Sequence, residues 1–392
     1  MSPDVRPVVD WLVDGAPPAR HPQEVLLEFC RRVRAQGVSL YRVAVFVRTL
    51  HPNVLGRSFI WQEDRDSVEV GEAAYDLLES EQFLKSPIRV VFFQHVEVRR
   101  RLADPACPID FPVLEDLLKE QVTDFLVLPL PFVNGEVHAA SFATRRPGGF
   151  SDGEVHALRS LAPALARIAE IYAHLRKAHN ILDAYLGTHA GEKVLAGQIR
   201  RGDGEEVRAV LWFCDLRDST VLADSMSRGE FLRLLNEFFE CVLGPVLERK
   251  GEVLRFIGDA ALAIFPVDGS PGDACERALA AANEAMARMD ELNAQRSRPL
   301  RFGIGLHLGD VLYGNVGTPS RIEFTVIGAA ANEAARIEAL CKDLGAPLLV
   351  SEAVARYLSP PLRSLGRHRL RGVGEPIALF TPGPLASGAK KI

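Results

Sequence analysis

Two aspartates stand where apolar strands end. Asp215 closes the run Ala209-Val210-Leu211-Trp212-Phe213-Cys214, and a helix is expected just beyond it. Asp259 sits in Phe256-Ile257-Gly258-Asp259, with apolar strand residues on both sides. A carboxylate at such a position is costly unless something neutralises it. Two of them suit two Mg²⁺ ions, hard cations that prefer oxygen ligands and keep substrate phosphates as further ligands. Taken singly, each reads better as an ordinary turn or cap aspartate, because Asp is common in turns. No softer metal chemistry is indicated. The six cysteines show no CxxC spacing and the ten histidines no HExxH signature.

The elements that must position these residues alternate through the C-terminal half. Val207–Asp215 is predicted as a buried strand, and Gly229–Lys250 as a helix ending at Gly251. Val253–Ile257 and Ala260–Phe265 are predicted as strands flanking Gly258-Asp259. A helix over Ala274–Gln295 and a strand over Leu300–Leu308 follow. Shorter strands are expected over Asp310–Asn315, Glu323–Ile327 and Pro347–Val350, with a helix over Ala330–Leu344.

The N-terminal half reads differently. Residues 1–20 are Pro-rich and are expected to be a flexible lead-in. Residues 23–36 carry helical spacing, residues 42–49 alternate like a strand, and residues 109–120 read as a helix. Strands at 124–130 and 138–144 flank an Asn134-Gly135 hairpin signal. A long helix is expected from Ser151, which has capping-box spacing to Glu154. Pro163 predicts a kink or restart within it, and Gly187 a stop. Its apolar residues step by three and four, which suits either packing on the preceding domain or a dimer seam. The expected organisation is a flexible lead-in (1–20), a mixed α+β domain (21–150), a connecting helix (151–187), a linker (188–206), a second domain of alternating strands and helices (207–382) and a disordered tail (383–392).

A length of 392 residues fits two or three domains. The formal charge of −5 argues against a nucleic-acid partner, and Arg99-Arg100-Arg101 reads as a solvated face. No basic, apolar leader opens the chain. The longest apolar tract, Phe125–Val133, is too short for a membrane span and is broken by Pro129 and Pro131. Unpaired cysteines packed in apolar stretches fit a reducing cytoplasm, and a cytoplasmic protein is expected.

Three segments in order carry a more specific resemblance. Phe213–Thr220 (FCDLRDST) resembles the first metal motif of class III nucleotidyl cyclases. Gly251–Phe265 (GEVLRFIGDAALAIF) resembles their second metal motif. Phe324–Leu340 (FTVIGAAANEAARIEAL) resembles the region with their transition-state residues. The resemblance implies an α+β fold with a ferredoxin-like, palm-type catalytic domain, an antiparallel-rich sheet flanked by helices. The preceding α+β domain resembles, loosely and by element order, a GAF-type sensor.

Carried over position by position, the resemblance makes Asp215 and Asp259 the ligands of two Mg²⁺ or Mn²⁺ ions. It places Asn332 on the ribose and Arg336 on the α-phosphate; four apart on a helix, both can face one side. It assigns base recognition to Arg255 and Thr325, where the family often has lysine and aspartate. A donor at 255 suits adenine N1 and a hydroxyl at 325 can accept from N6, so ATP is the expected substrate and an adenylate cyclase the expected enzyme. Arginine can also donate to guanine O6, which keeps a guanylate cyclase open. Amides at the start of the helix after Asp215, at Leu216, Ser219 and Thr220, are expected to receive phosphate oxygens. Arg369–Pro376 (RLRGVGEP) resembles a segment that brings a basic residue, here Arg371, to the triphosphate. One copy of each motif implies a homodimer with shared sites, and the N-terminal domain implies an unidentified regulator. A degenerate, nucleotide-binding signalling module is the non-enzymatic alternative. A diguanylate cyclase is disfavoured, since no GG(D/E)EF signature occurs.

Overall fold

The computed structural model describes residues 3–359 and 362–383. The chain forms two compact units, Met1–Ala184 and Tyr185–Ile392.

The first unit runs α1 (Arg6–Val13), α2 (Pro22–Ala35), β1 (Arg42–Arg48), β2 (Gly56–Gln62), β3 (Val68–Ala73), α3 (Glu81–Leu84), α4 (Pro87–Gln94), β4 (Val98–Arg100), α5 (Pro112–Lys119), β5 (Asp124–Pro131), β6 (Val137–Thr144) and α6 (Asp152–Leu186). Its six strands form one antiparallel sheet in the order β3-β2-β1-β6-β5-β4. The expected lead-in is corrected: residues 6–13 are helical, and Val8, Trp11 and Leu12 are buried in the same core as Val25, Phe29 and Leu158. The helix forms because its apolar residues share one face, although Pro7, Pro17 and Pro18 suggest a loop. At α6 the Ser151 Oγ accepts from the Glu154 amide at 3.3 Å, and a Glu154 carboxylate oxygen accepts from the Ser151 amide at 2.8 Å. Pro163 causes no restart, and α6 continues through it to Leu186. Leu158, Leu161, Leu165 and Ile168, on either side of the proline, are all buried.

The second unit contains α7 (Thr188–Leu195), β7 (Gly204–Leu216), α8 (Ser219–Asp224), α9 (Arg228–Glu248), β8 (Glu252–Ile257), β9 (Ala260–Pro266), α10 (Pro271–Ala294), β10 (Phe302–Thr318), β11 (Arg321–Ile327), α11 (Ala329–Leu344), β12 (Leu348–Ser351), α12 (Glu352–Ala355), β13 (Arg363–His368) and β14 (Ile377–Thr381). Eight strands form a sheet in the order β13-β14-β12-β10-β7-β9-β8, with β11 on the far part of β10. Every pairing is antiparallel except β10 with β12.

The segments expected as separate strands at 300–308 and 310–315 are one strand, β10, since its length lets it pair with β7, β11 and β12 together. The expected linker 188–206 contains α7, whose Ala190 is buried beside Leu211 and Tyr313. Apart from Gly383, the expected tail lies outside the described residues.

Strand β7 explains why the run before Asp215 is so apolar. Val210, Trp212 and Cys214 face one core with Phe238 of α9 and Ala278 of α10. Ala209 and Leu211 face a second core with Ala330 and Ala334 of α11. A strand covered on both faces loses the polar alternation of a half-exposed one.

Candidate active site

Asp215 is the penultimate residue of β7, opposite Ala260 of β9 and Gly303 of β10. Asp259 occupies the two-residue turn between β8 and β9, since Ile257 already pairs with Ala260. Gly258 has φ +66°, a conformation that costs glycine nothing and suits the first position of a tight hairpin. The turn folds back on β7, where the Leu216 N–H donates to the Asp259 carbonyl at 3.3 Å.

The two carboxyl groups meet. Asp215 is held above the ordinary carboxylate range, first by burial, then by the nearby Asp259 charge, while Arg217 opposes this. Like charges this close favour keeping a proton or binding a cation. Among the described residues no group of three or more His, Cys, Asp or Glu side chains forms a closed metal cage. An open pair of oxygen donors fits a hard cation that takes its remaining ligands from phosphate and water.

Beneath the pair lies a network that sequence reasoning missed. Arg217 reaches Asp215 at 3.6 Å and donates to the Glu338 backbone carbonyl at 3.1 Å and to its side chain. Glu338 is buried, and its pKa rises to about 7: burial outweighs the opposing pull of Arg217, and the two aspartates add to the rise. The room for this network comes from Gly303. A Cβ there would fall 2.4 Å from both the Arg217 guanidinium and a Glu338 carboxylate oxygen. The available signal was a glutamate in the buried stripe of α11, in line with Ala330, Ala334, Ile337 and Cys341.

On the opposite side of α11, Asn332 is exposed and Arg336 half-buried. Among the described residues neither makes a hydrogen bond or ion pair with the aspartates, and the Arg336 guanidinium has no carboxylate partner. It lies against the loop after β13: a methyl group built on Gly372 would touch it at 3.5 Å. Arg371, adjacent in that loop, is exposed. Next to Asn332, Glu333 pairs with His307 of β10 at 2.9 Å.

Arg255 of β8 and Thr325 of β11 are also brought near one another, through a residue not singled out from sequence. The Arg255 Nε donates to Glu323 at 2.9 Å, and Glu323 lies two residues before Thr325, on the same face of β11. That period of two was the missed signal. Thr325 is buried, and its Oγ1 has no hydrogen-bond partner among the described residues. Such an orphan is uncommon and needs an explanation.

The phosphate-binding expectation is corrected in part. Leu216 belongs to β7, is buried, and spends its amide on Asp259. Ser219 and Thr220 begin α8, a helix of six residues without a side-chain cap.

Residues 205–380 match the family model of the adenylate and guanylate cyclase catalytic domain. The match takes in most of the C-terminal unit, under half of the chain, and the first unit lies outside it. Among curated relatives, an adenylate cyclase of Anabaena cylindrica is 35% identical over 195 residues, 46% of this chain and 38% of that protein. An uncharacterized protein of Mycobacterium tuberculosis is 36% identical over 217 residues, 54% of this chain and 39% of that protein. The matches thus span less than two-fifths of these relatives. Among solved structures, a bacterial light-regulated adenylyl cyclase is 26% identical with a TM-score of 0.41, covering 46% of this chain and 91% of that one. Class III cyclase domains generally use divalent metals such as Mg²⁺. No described helix is long and apolar enough to cross a membrane.

Proposed function

We propose that this protein is an adenylate cyclase that converts ATP to 3′,5′-cyclic AMP and pyrophosphate, with its N-terminal unit as a GAF-like regulatory domain. The observation that carries this reading is the meeting of the Asp215 and Asp259 carboxyls at the end of β7, together with the orphaned Thr325 hydroxyl.

Asp215 and Asp259 would hold two Mg²⁺ or Mn²⁺ ions. When bound, these lower the pKa of the ribose 3′-hydroxyl and neutralise the triphosphate. The 3′-oxygen attacks the α-phosphorus, the bond to the bridging oxygen breaks, pyrophosphate leaves with the electron pair, and the hydroxyl proton passes to solvent. Asn332 orients the ribose. Arg336, free of a carboxylate partner, supplies a planar donor fork to the oxygens of the transferring group. Its neighbour Arg371 meets the triphosphate, with the first-turn amides of Ser219 and Thr220 as further donors.

For the base, the Nη groups of Arg255 remain to donate to adenine N1 while Glu323 steadies Nε, and the Thr325 hydroxyl accepts from N6. The same pair supports a second reading. Glu323 offers an acceptor that guanine N1 and N2 could use, with Arg255 on O6.

The sites are shared between two copies in a head-to-tail homodimer, with the aspartates of one facing Asn332 and Arg336 of the other. That neither Asn332 nor Arg336 makes a hydrogen bond or ion pair with the aspartates of its own chain, among the described residues, supports this. Six free cysteines, four of them buried, support a cytoplasmic setting.

The test is incubation of the purified protein with ATP or GTP and Mg²⁺ or Mn²⁺, with the product identified by mass spectrometry. Cyclic AMP is expected. Cyclic GMP would replace this reading with the second, and inertness toward both nucleotides with both metals would leave a nucleotide-binding signalling module.

A further inference from the structure

The N-terminal unit contains a cavity of about 510 Å³ bounded by α2, the sheet strands β1 to β3 and α6. That volume lies within the range, about 300–1,000 Å³, of pockets that take small organic ligands. Its deep wall is apolar: Val25, Leu26, Val45, Leu165 and Ile168 line it and are buried. One whole side is α6, from Leu165 to His179.

The charge around the opening is mostly positive, with the Glu24 carboxylate at one edge held by the Arg20 and His21 amides. Arg20, Arg48, Arg57 and Arg176 line the cavity with His21 and His179, and no aspartate or glutamate lines it. Arg57 is paired with Glu72. Arg20, Arg48 and Arg176 have no side-chain partner among the described residues. Most other arginines of this unit do have a carboxylate partner, as at Arg32, Arg99, Arg100, Arg146, Arg159 and Arg167. Solvated surface arginines need no explanation singly. Three unpaired ones around a single apolar opening, in a chain of net charge −5, form a charge pattern complementary to an anion.

We propose that this cavity binds a single-tailed amphiphile: an apolar body against Leu26, Leu165 and Ile168, and an oxyanion head held by Arg48 and Arg176. A guanidinium fork pairs with carboxylate and phosphate oxygens alike, so the head group is of either kind. A ligand seated here rests along α6, the helix that continues in the chain to Leu186 and the catalytic unit. The proposal does not depend on which nucleotide the C-terminal unit uses.

The test is isothermal titration of the full-length protein with four probes of one tail length, each below its micelle-forming concentration: dodecanoate, dodecyl phosphate, dodecan-1-ol and dodecyltrimethylammonium. One or both anionic probes are expected to bind once per chain, at least tenfold more tightly than the alcohol or the cation. Whichever anion binds more tightly identifies the head group. The double variant Arg48→Ala/Arg176→Ala, at exposed positions, should weaken the anions at least tenfold and leave the alcohol unchanged. Ala173→Phe, which fills the cavity from α6, should abolish binding of all probes, with its circular dichroism spectrum checked against the parent. Equal binding of all four head groups overturns the proposal, as does anion binding indifferent to both variants. Absence of binding by any probe, with Ala173→Phe shifting the protein from dimer to monomer in sedimentation, would give the cavity to a second copy of the chain and also overturn it.

Discussion

Replacing Thr325 by valine should push stability and substrate affinity in opposite directions. The Thr325 side chain is buried and its Oγ1 has no partner among the described residues. A buried hydroxyl without a hydrogen bond carries a desolvation penalty of about 1–3 kcal/mol. Valine has the same branched shape and no polar atom, so Thr325→Val removes that penalty in the nucleotide-free protein. For a unit of this size, each kcal/mol corresponds to about 2–4 °C in Tm, and a rise of at least about 2 °C is expected by differential scanning fluorimetry without nucleotide. With ATP bound the hydroxyl would accept from adenine N6, a contact of about 1 kcal/mol. Its loss should raise KM about fivefold with kcat little changed, because the contact is remote from the phosphorus. Initial rates over a range of ATP concentrations measure this. A fall in Tm would refute the claim that the hydroxyl is unsatisfied. A rise in Tm with unchanged KM would refute the claim that it faces the base.

Three further outcomes are expected. Asp259→Ala and Arg336→Ala chains, each inactive, should regain up to about a quarter of parental activity when mixed and allowed to exchange, as statistical pairing into one intact shared site predicts; no recovery would count against shared sites. Glu323→Gln should loosen Arg255, raising KM for ATP several-fold at nearly constant kcat and changing the ratio of ATP to GTP turnover; a loss confined to kcat would place the pair elsewhere in the reaction. In the first unit, burial lowers the His138 pKa from 6.5 to about 4, while Glu136 opposes the shift. The unfolded chain therefore binds a proton first as pH falls, so stability present above pH 6.5 is lost progressively down to about pH 4, by about 3 kcal/mol. His138→Asn, which retains an acceptor for the Arg48 amide, should flatten that slope in urea titrations followed by circular dichroism.

The metal-binding and transition-state candidates were legible only together, through three segments in order that resemble class III cyclase motifs; taken singly, Asp215 and Asp259 read as ordinary turn or cap residues. An aspartate ending a strand as apolar as β7, a Gly-Asp pair between two short apolar strands, and an Asn–Arg pair four apart on a helix are visible in a linear string. The main helices and central strands were legible because their apolar periodicity is a local property. What escaped was set by partners distant in sequence. Residues 6–13 are helical because Trp11 and Leu12 meet Phe29 and Leu158, not because of propensity. Strands β13 and β14 carry no strong pattern; pairing of β14 with β12, and of the edge strand β13 with β14, makes them strands.

The string of residues thus nominated the candidate groups for metal, phosphate and base, and determined the alternation of elements that carries them. Tertiary structure decided which of those groups are available. It spends the Leu216 amide on Asp259, ties Arg217 to Glu338 in the space left by Gly303, steadies Arg255 with Glu323 and leaves the Thr325 hydroxyl unsatisfied. Whether a polar group is free depends on what surrounds it in space, and burial turns that difference into free energy.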